Sequence, residues 1–180
     1  MFMLFVGNSH LLVGDVPKQL KEIVKKHGIK MEYENISKRG SKLSDLKNEA
    51  VELISTKKFD YIVLQDQTSR PLDDNDGFVN DIRFLCDAAH KSGAKPVLYS
   101  PSISNHNRQP NEEIQHKLTV VYKQIATENN AILVNAGETW VMMYKESPNA
   151  SLYAEDGFHA NNEGAFLTAS TFACVLLGIH

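Results

Sequence analysis

Two cysteines, six prolines and a single tryptophan in 180 residues leave this chain without the means of several common architectures. Cys86 and Cys174 stand far apart, each inside an apolar, helix-like segment where a cysteine ordinarily serves as a small buried hydrophobe. A disulfide framework is thereby excluded as the organising device, and the pattern is compatible with a reducing compartment. No apolar run approaches the ~20 residues that a membrane-spanning helix requires, so no membrane partner is expected and a cytoplasmic location is the simplest. The opening stretch Met1-Phe2-Met3-Leu4-Phe5-Val6 is apolar but short, lacks a basic flank and runs straight into Gly7-Asn8-Ser9. It reads as a first strand rather than a secretory signal. Neither sign of charge dominates: 19 Lys and Arg face 22 Asp and Glu, a net charge of -3, and the cations are scattered. A nucleic-acid partner has no footprint in such a distribution. The seven histidines show neither His-x-His nor His-Glu-x-x-His spacing, so no metal site and no cofactor is expected. The acidic run Asp73-Asp74-Asn75-Asp76-Gly77 resembles a calcium loop only in part. Leu72 and Arg83 occupy its first and last ligand positions, which excludes it.

What remains is an ordinary soluble composition, 42% hydrophobic and 23% charged, at a length suited to one domain over residues 1–180. Strand-like and helix-like segments alternate along it, the pattern of a parallel sheet covered on both faces. Strands are expected over Phe2 to Val6, Lys30 to Ile36, Tyr61 to Gln65, Pro96 to Ser100 and Ala131 to Asn135. The first, third and fifth are near-continuous apolar runs, as burial on both faces demands, whereas the second alternates and suits an edge. Helical stripes are expected from Val16 to His27, Leu43 to Ile54, Phe78 to Ala89, Ile114 to Ile125 and about Asn162 to Leu177. The last is apolar on most sides and should pack deeply. The expected fold is α/β: a three-layer, flavodoxin-like arrangement with a five-stranded parallel sheet in the order 2-1-3-4-5.

That strand order directs attention to particular loops. In an open parallel sheet, ligands sit beyond the carboxyl ends of the strands where the order reverses, here between the first and third strands. Ser9 follows the first and Gln67 the third. Gly7-Asn8-Ser9-His10 is a strand-to-helix turn in which a hydroxyl can act as a nucleophile if a base takes its proton, although such a turn alone is more often a helix cap. Leu11 stands where a nucleophile elbow would need glycine. Asp156-Gly157-Phe158-His159 supplies a base: residues three apart share one side of a turn, so the carboxylate can orient the imidazole. His10, Gln65, Tyr99, Ser102, Asn105 and His106 lie near the same edge of the sheet and are candidates for contact with substrate. Trp140 suits core or pocket wall.

Together these segments resemble the SGNH (GDSL-like) hydrolase superfamily, in the correct order and over nearly the whole chain. Gly7-Asn8-Ser9 is similar to the first Gly-Asp-Ser-like block, Gly40 in Lys38-Arg39-Gly40-Ser41 to the lone glycine of the second, and Asp156-x-x-His159 before the last helix to the final block. The third block, ordinarily Gly-x-Asn-Asp, reads Gln65-Asp66-Gln67 here, a variant similar to that of uncharacterised bacterial members. Asn8 in place of Asp is the second departure. The resemblance implies Ser9 as nucleophile, His159 as base and Asp156 as orienter. It also implies an oxyanion site from the N–H groups of Ser9 and Gly40 with the Gln67 amide. The implied activity is hydrolysis of small acyl esters, O-acetylated carbohydrate among them, through an acyl-enzyme. A thioesterase or lysophospholipase is the alternative within enzymes, and a non-catalytic flavodoxin-like binding module the alternative outside them. The expected partner is a small-molecule ester, and the sequence neither demands nor excludes a homo-oligomer.

Overall fold

A computed structural model describes residues 1–105 and 107–179. In chain order the elements are β1 (Phe2–Val6), α1 (Ser9–Leu12), α2 (Val16–Lys26), β2 (Glu32–Asn35), α3 (Leu43–Thr56), β3 (Tyr61–Leu64), α4 (Arg70–Asp73), α5 (Asn75–Ser92), β4 (Lys95–Ser100), α6 (Glu112–Glu128), β5 (Ile132–Asn135), α7 (Ala136–Glu146) and α8 (Asn162–Leu177). The five strands form a parallel sheet in the order β2-β1-β3-β4-β5. β1 is an interior strand: Leu4 pairs with Glu34 on one side and with Ile62 on the other. β2 lies at the edge and none of its four residues is fully buried, the reason its sequence alternates where the others are continuously apolar.

Side-chain alternation divides the core into two layers. Leu4, Val6, Ile62, Leu64 and Leu98 point to the face covered by α3, α5 and α6, where Leu46, Phe78, Ile82 and Tyr122 meet them. Met3, Phe5, Val63, Val97 and Tyr99 point the other way, onto α2 and α8 through Leu20, Val24, Ala169 and Phe172. Each large apolar side chain removed from water in this way contributes about 1.5–3 kcal/mol, which makes the sheet order insensitive to any single loop. A smaller cluster of Trp140, Leu152 and Tyr153 closes the end of the molecule between α7 and the loop before α8.

α7 and α8 differ from expectation, and the acidic run 73–77 takes a definite place. α7 follows β5 without a linker and is absent from the sequence reading, because the continuous apolar run Trp140 to Tyr144 shows no helical period. Its signal was the start: the Asn135 side chain accepts the Glu138 N–H, with Glu at the third helical position. The acidic run 73–77 forms the junction of α4 and α5, where the Asp74 carboxylate accepts the Gly77 N–H at 3.2 Å. α8 packs deeply on one side only. Its small residues Ala165, Ala169 and Ala173 are buried, while Phe166 and Val175 stand exposed. Among the described residues, no helix is long and apolar enough to cross a membrane.

Close packing of α8 on the start of α2 depends on Gly14, which has φ +79° and lies where a Cβ would come within 2.5 Å of the Ala165 Cβ. Gly14→Ala therefore combines a left-handed backbone cost with an overlap that neither helix can relieve without moving. The expected loss is about 2 kcal/mol or more, a fall in Tm of roughly 4–8 °C. Gly28, at φ +75° with open space around it, is the control. Gly28→Ala should lose only the backbone part. Thermal unfolding followed by circular dichroism checks both, and equal losses would refute the overlap.

Candidate active site

The turn after β1 is built around an unusually close contact. A Cβ on Gly7 would lie 2.6 Å from Oε1 of Gln65, so glycine is required for the chain to pass beneath that side chain. Gln65 is fully buried. Its Oε1 accepts the Asn8 N–H at 2.9 Å and its amide donates to the Asp66 carbonyl. It is thus a strut for the Ser9 turn and does not reach the crevice. Asn8, the departure from Gly-Asp-Ser, is itself buried and fully used. Its Oδ1 accepts the His10 N–H at 3.2 Å and its Nδ2 donates to the Ser41 carbonyl at 3.3 Å. The asparagine caps α1 and ties it to the second loop, which leaves Ser9 as the first residue of the helix with its hydroxyl free to face outward.

His159 arrives from the far end of the chain. Its Nε2 lies 2.8 Å from the Ser9 Oγ, and its Nδ1 lies 2.6 Å from Oδ2 of Asp156. The turn that allows this is held by the same carboxylate, whose Oδ1 accepts the backbone N–H groups of Phe158 and His159, each at 2.9 Å. The hydrogen bond from the His159 ring, and next those two backbone donors, hold the Asp156 carboxyl well below the usual carboxylate range. An ionised Asp156 can only accept, so Nδ1 of a neutral His159 carries the proton and Nε2 is left as the acceptor for the Ser9 hydroxyl. The carboxylate is nonetheless 51% exposed, whereas the imidazole it orients is 16% exposed.

A cavity of about 290 Å³ opens beside Ser9, lined by Asn8, Ser9, His10, Gly40, Gln67 and Phe158 together with Thr68, Ser69 and Ile103. The structure therefore gathers Ser9, His10, Gly40 and Gln67 at one opening. Gln67 is not idle there: its Nε2 donates to the Gly40 carbonyl at 2.6 Å, which commits one of its two amide hydrogens to bridging the second and third loops. Other candidates lie elsewhere. Tyr99 is buried in the core against Phe172, and burial pushes its hydroxyl above the ordinary tyrosine range. Its strand direction places it on the α2/α8 side instead of at the strand end. Ser102 is buried on the Tyr153 hydroxyl at 2.7 Å. Asn105 orders its own turn, its Oδ1 accepting from the N–H groups of Asn107 and Gln109. His106 lies outside the described residues. Thr68, Ser69, Ile103 and Phe158 were missed as lining residues. For Thr68 and Ser69 the signal was their place directly after Gln67.

His10 shares this cavity and is nearly buried, with its Nε2 2.8 Å from the Thr68 Oγ1 and its ring 5.5 Å from that of His159. Burial, reinforced by His159 and opposed by Asp156, lowers its pKa from 6.5 to about 4. The folded protein thus takes up this proton less readily than the unfolded chain does. Its stabilising effect is complete above pH 6.5 and drains away as pH falls toward about 4. The expected loss over that window is on the order of 3 kcal/mol. Denaturant titrations from pH 7 to 4 on the native protein and His10→Gln measure it: the variant should show a shallower decline, and parallel curves would contradict the assignment.

No family model and no curated protein matches the chain by sequence. Solved structures do match its fold. A candidate SGNH hydrolase from Slackia heliotrinireducens superposes with a TM-score of 0.82 at 20% identity, over 98% of this chain and 98% of that one. The acetyl xylan esterase AlAXEase gives 0.79 at 19% identity, over 98% and 100%. A tryptophan variant of Axe2, an acetyl xylan esterase from Geobacillus stearothermophilus, gives 0.74 at 19%, over 98% and 94%. The five-stranded parallel sheet in the order 2-1-3-4-5 is the fold of solved SGNH hydrolases.

Proposed function

We propose that this protein is a serine esterase that cleaves small acyl esters through an acyl-enzyme on Ser9. The observation that carries the reading is the unbroken chain Ser9 Oγ, His159 Nε2, His159 Nδ1, Asp156 Oδ2, with links of 2.8 and 2.6 Å. Three such groups from segments 150 residues apart do not meet in this order for capping alone. In the first half-reaction Ser9 Oγ bonds to the ester carbonyl carbon while its proton passes to Nε2. The tetrahedral intermediate then collapses, and the alcohol leaves with that proton. In the second, water attacks the acyl-enzyme with His159 again as base, and the carboxylic acid is released. Negative charge on the carbonyl oxygen would be met by the N–H groups of Ser9 and Gly40 and by the remaining amide hydrogen of Gln67.

Cavity size and wall chemistry favour a short acyl group. About 290 Å³ lies at the small end of the range for ligand pockets, and Ile103 and Phe158 are its large apolar side chains. The small opening supports an acetyl ester on carbohydrate as substrate, and two of the fold neighbours are named as acetyl xylan esterases.

Ser9→Ala and His159→Ala should each lower kcat by about three orders of magnitude or more and leave the far-ultraviolet spectrum unchanged. The double variant should be no worse than either, since both residues serve one proton transfer. Asp156→Asn should cost less than either, the order expected when an orienting group is lost and the nucleophile and base remain. Hydrolysis of aryl acetates and acetylated sugars supplies the rates, and labelling by a fluorophosphonate probe reports on Ser9 directly. Multiplicative losses in the double variant, or an unlabelled Ser9 at saturating probe, would overturn the assignment.

A further inference from the structure

Behind the crevice lies a buried ionic network that the proposed chemistry does not use directly. Asp66 is fully buried at the end of β3. Its Oδ1 accepts two backbone N–H groups, that of Gln67 at 2.8 Å and that of Leu43 at 3.3 Å. The first belongs to the loop that carries Gln67 and Thr68. The second opens α3, directly after the loop that carries Gly40. One carboxylate oxygen therefore holds two of the three loops that surround Ser9. The other oxygen, Oδ2, receives Nη1 of Arg70 at 2.5 Å. Arg70 is itself only 6% exposed, and its other two nitrogens meet Asp81 at 2.8 Å and Asp74 at 3.1 Å, both on or capping α5. Packing leaves no slack at this point, since a Cβ on Gly77 would come within 2.7 Å of Arg70 Nη2.

We propose that Asp66, locked by Arg70, is a positioning residue that fixes the Gly40 and Gln67 loops relative to Ser9. This rests on the esterase reading for its consequence in catalysis but not for its structural content. The physical reason is that a buried guanidinium satisfied by three carboxylates is rigid, and an ionised carboxylate grips N–H groups more strongly than a neutral carbonyl does. Loop donors that must lie about 3 Å from a developing oxyanion gain nothing from being present if they wander by 1 Å. The Gln67 side chain bridging to the Gly40 carbonyl adds a second tie between the same two loops, on the solvent side of the first.

The test compares Asp66→Asn, Arg70→Met and Arg70→Lys in the full chain. Asp66→Asn keeps an acceptor oxygen for the two N–H groups but removes the charge. Arg70→Lys keeps a cation but not the fork. For Asp66→Asn and Arg70→Met, kcat should fall by about ten- to a hundredfold with KM within about threefold, because loop donors act on the transition state. Arg70→Lys should fall between these and the native enzyme. A pH profile separates this role from general loosening. The charged and titratable groups around Asp66 are Arg70 of α4, Asp74 and Asp81 beyond it, Lys47 of α3 on Asp81, and Tyr122 of α6. Burial raises the Asp66 carboxyl, opposed by the Gln67 N–H, Arg70 and the Leu43 N–H. Without the Arg70 cation the acid limb of kcat should move to higher pH, whereas loosening would only scale the curve. Amide hydrogen exchange supplies a readout independent of activity: protection at Gln67 and Leu43 should fall together, at least tenfold, in each variant, with β1 and β4 unchanged. If the two larger changes do not fold, Arg70→Lys carries the same measurements. A native protein without esterase activity would sink the proposed function and leave exchange to decide the pin. Unchanged protection at Gln67 and Leu43, or kcat within twofold of native in a folded Asp66→Asn, overturns the proposal.

Discussion

Everything at the candidate site depends on β1 and β3 being paired edge to edge while the connections that leave them run to opposite sides of the sheet. α2 leaves β1 to cross one face and reach β2, and α5 leaves β3 to cross the other and reach β4, so the loops after β1 and β3 diverge and a crevice opens between them. Neither loop is free to close it. The Ser9 turn is pinned from below by Gln65 and from the side by Asn8 on the Ser41 carbonyl. The Lys38 N–H donates to the Gly7 carbonyl, which stitches the second loop to the first. Backbone polar groups that a crevice would otherwise leave unpaired are thus spent on holding it open.

Into this fixed frame the last segment brings the His159 imidazole. α8 docks its alanine-rich side on α2, and the small side chains let the two helices approach closely enough for the preceding turn to reach Ser9. Asn161 caps α8 through the Gly164 N–H and also donates to the Ser151 carbonyl, so the residues on both sides of His159 are anchored. Orientation of the imidazole then needs only the Asp156 turn.

The sheet was legible in the sequence because burial on both faces imposes unbroken apolar runs, and Phe2 to Val6 and Tyr61 to Leu64 have no other economical use. That Ser9, Asp156 and His159 would meet was legible because each stands in a short motif at a strand or helix end that faces the same edge of the sheet. The rest was hidden for identifiable reasons. Gln65 and Tyr99 sit close to the crevice in sequence, but a residue at a strand end can face either the ligand or the core, and only the pleat decides. Asp66 and Arg70 belong to a stretch, residues 66–76, whose composition is that of a solvated loop. Nothing in the residue types distinguishes a buried carboxylate from an exposed one. α7 escaped because its buried residues Ala136, Gly137, Trp140 and Val141 run on into apolar residues such as the exposed Met142, which hides the stripe.

The hydrogen bond between Ser9 and His159 joins positions 150 apart, and this separation has a consequence in time. A ribosome adds roughly 5–20 residues each second, so the serine turn leaves it on the order of ten to thirty seconds before the histidine exists. The central strand and its two neighbours can assemble in that interval. A nascent chain holding β1 through β5 would carry a sheet, a crevice and a hydroxyl, yet no imidazole beside it. On the proposed esterase reading, competence for proton transfer waits until the segment that carries Asp156 and His159 has settled beside the Ser9 turn.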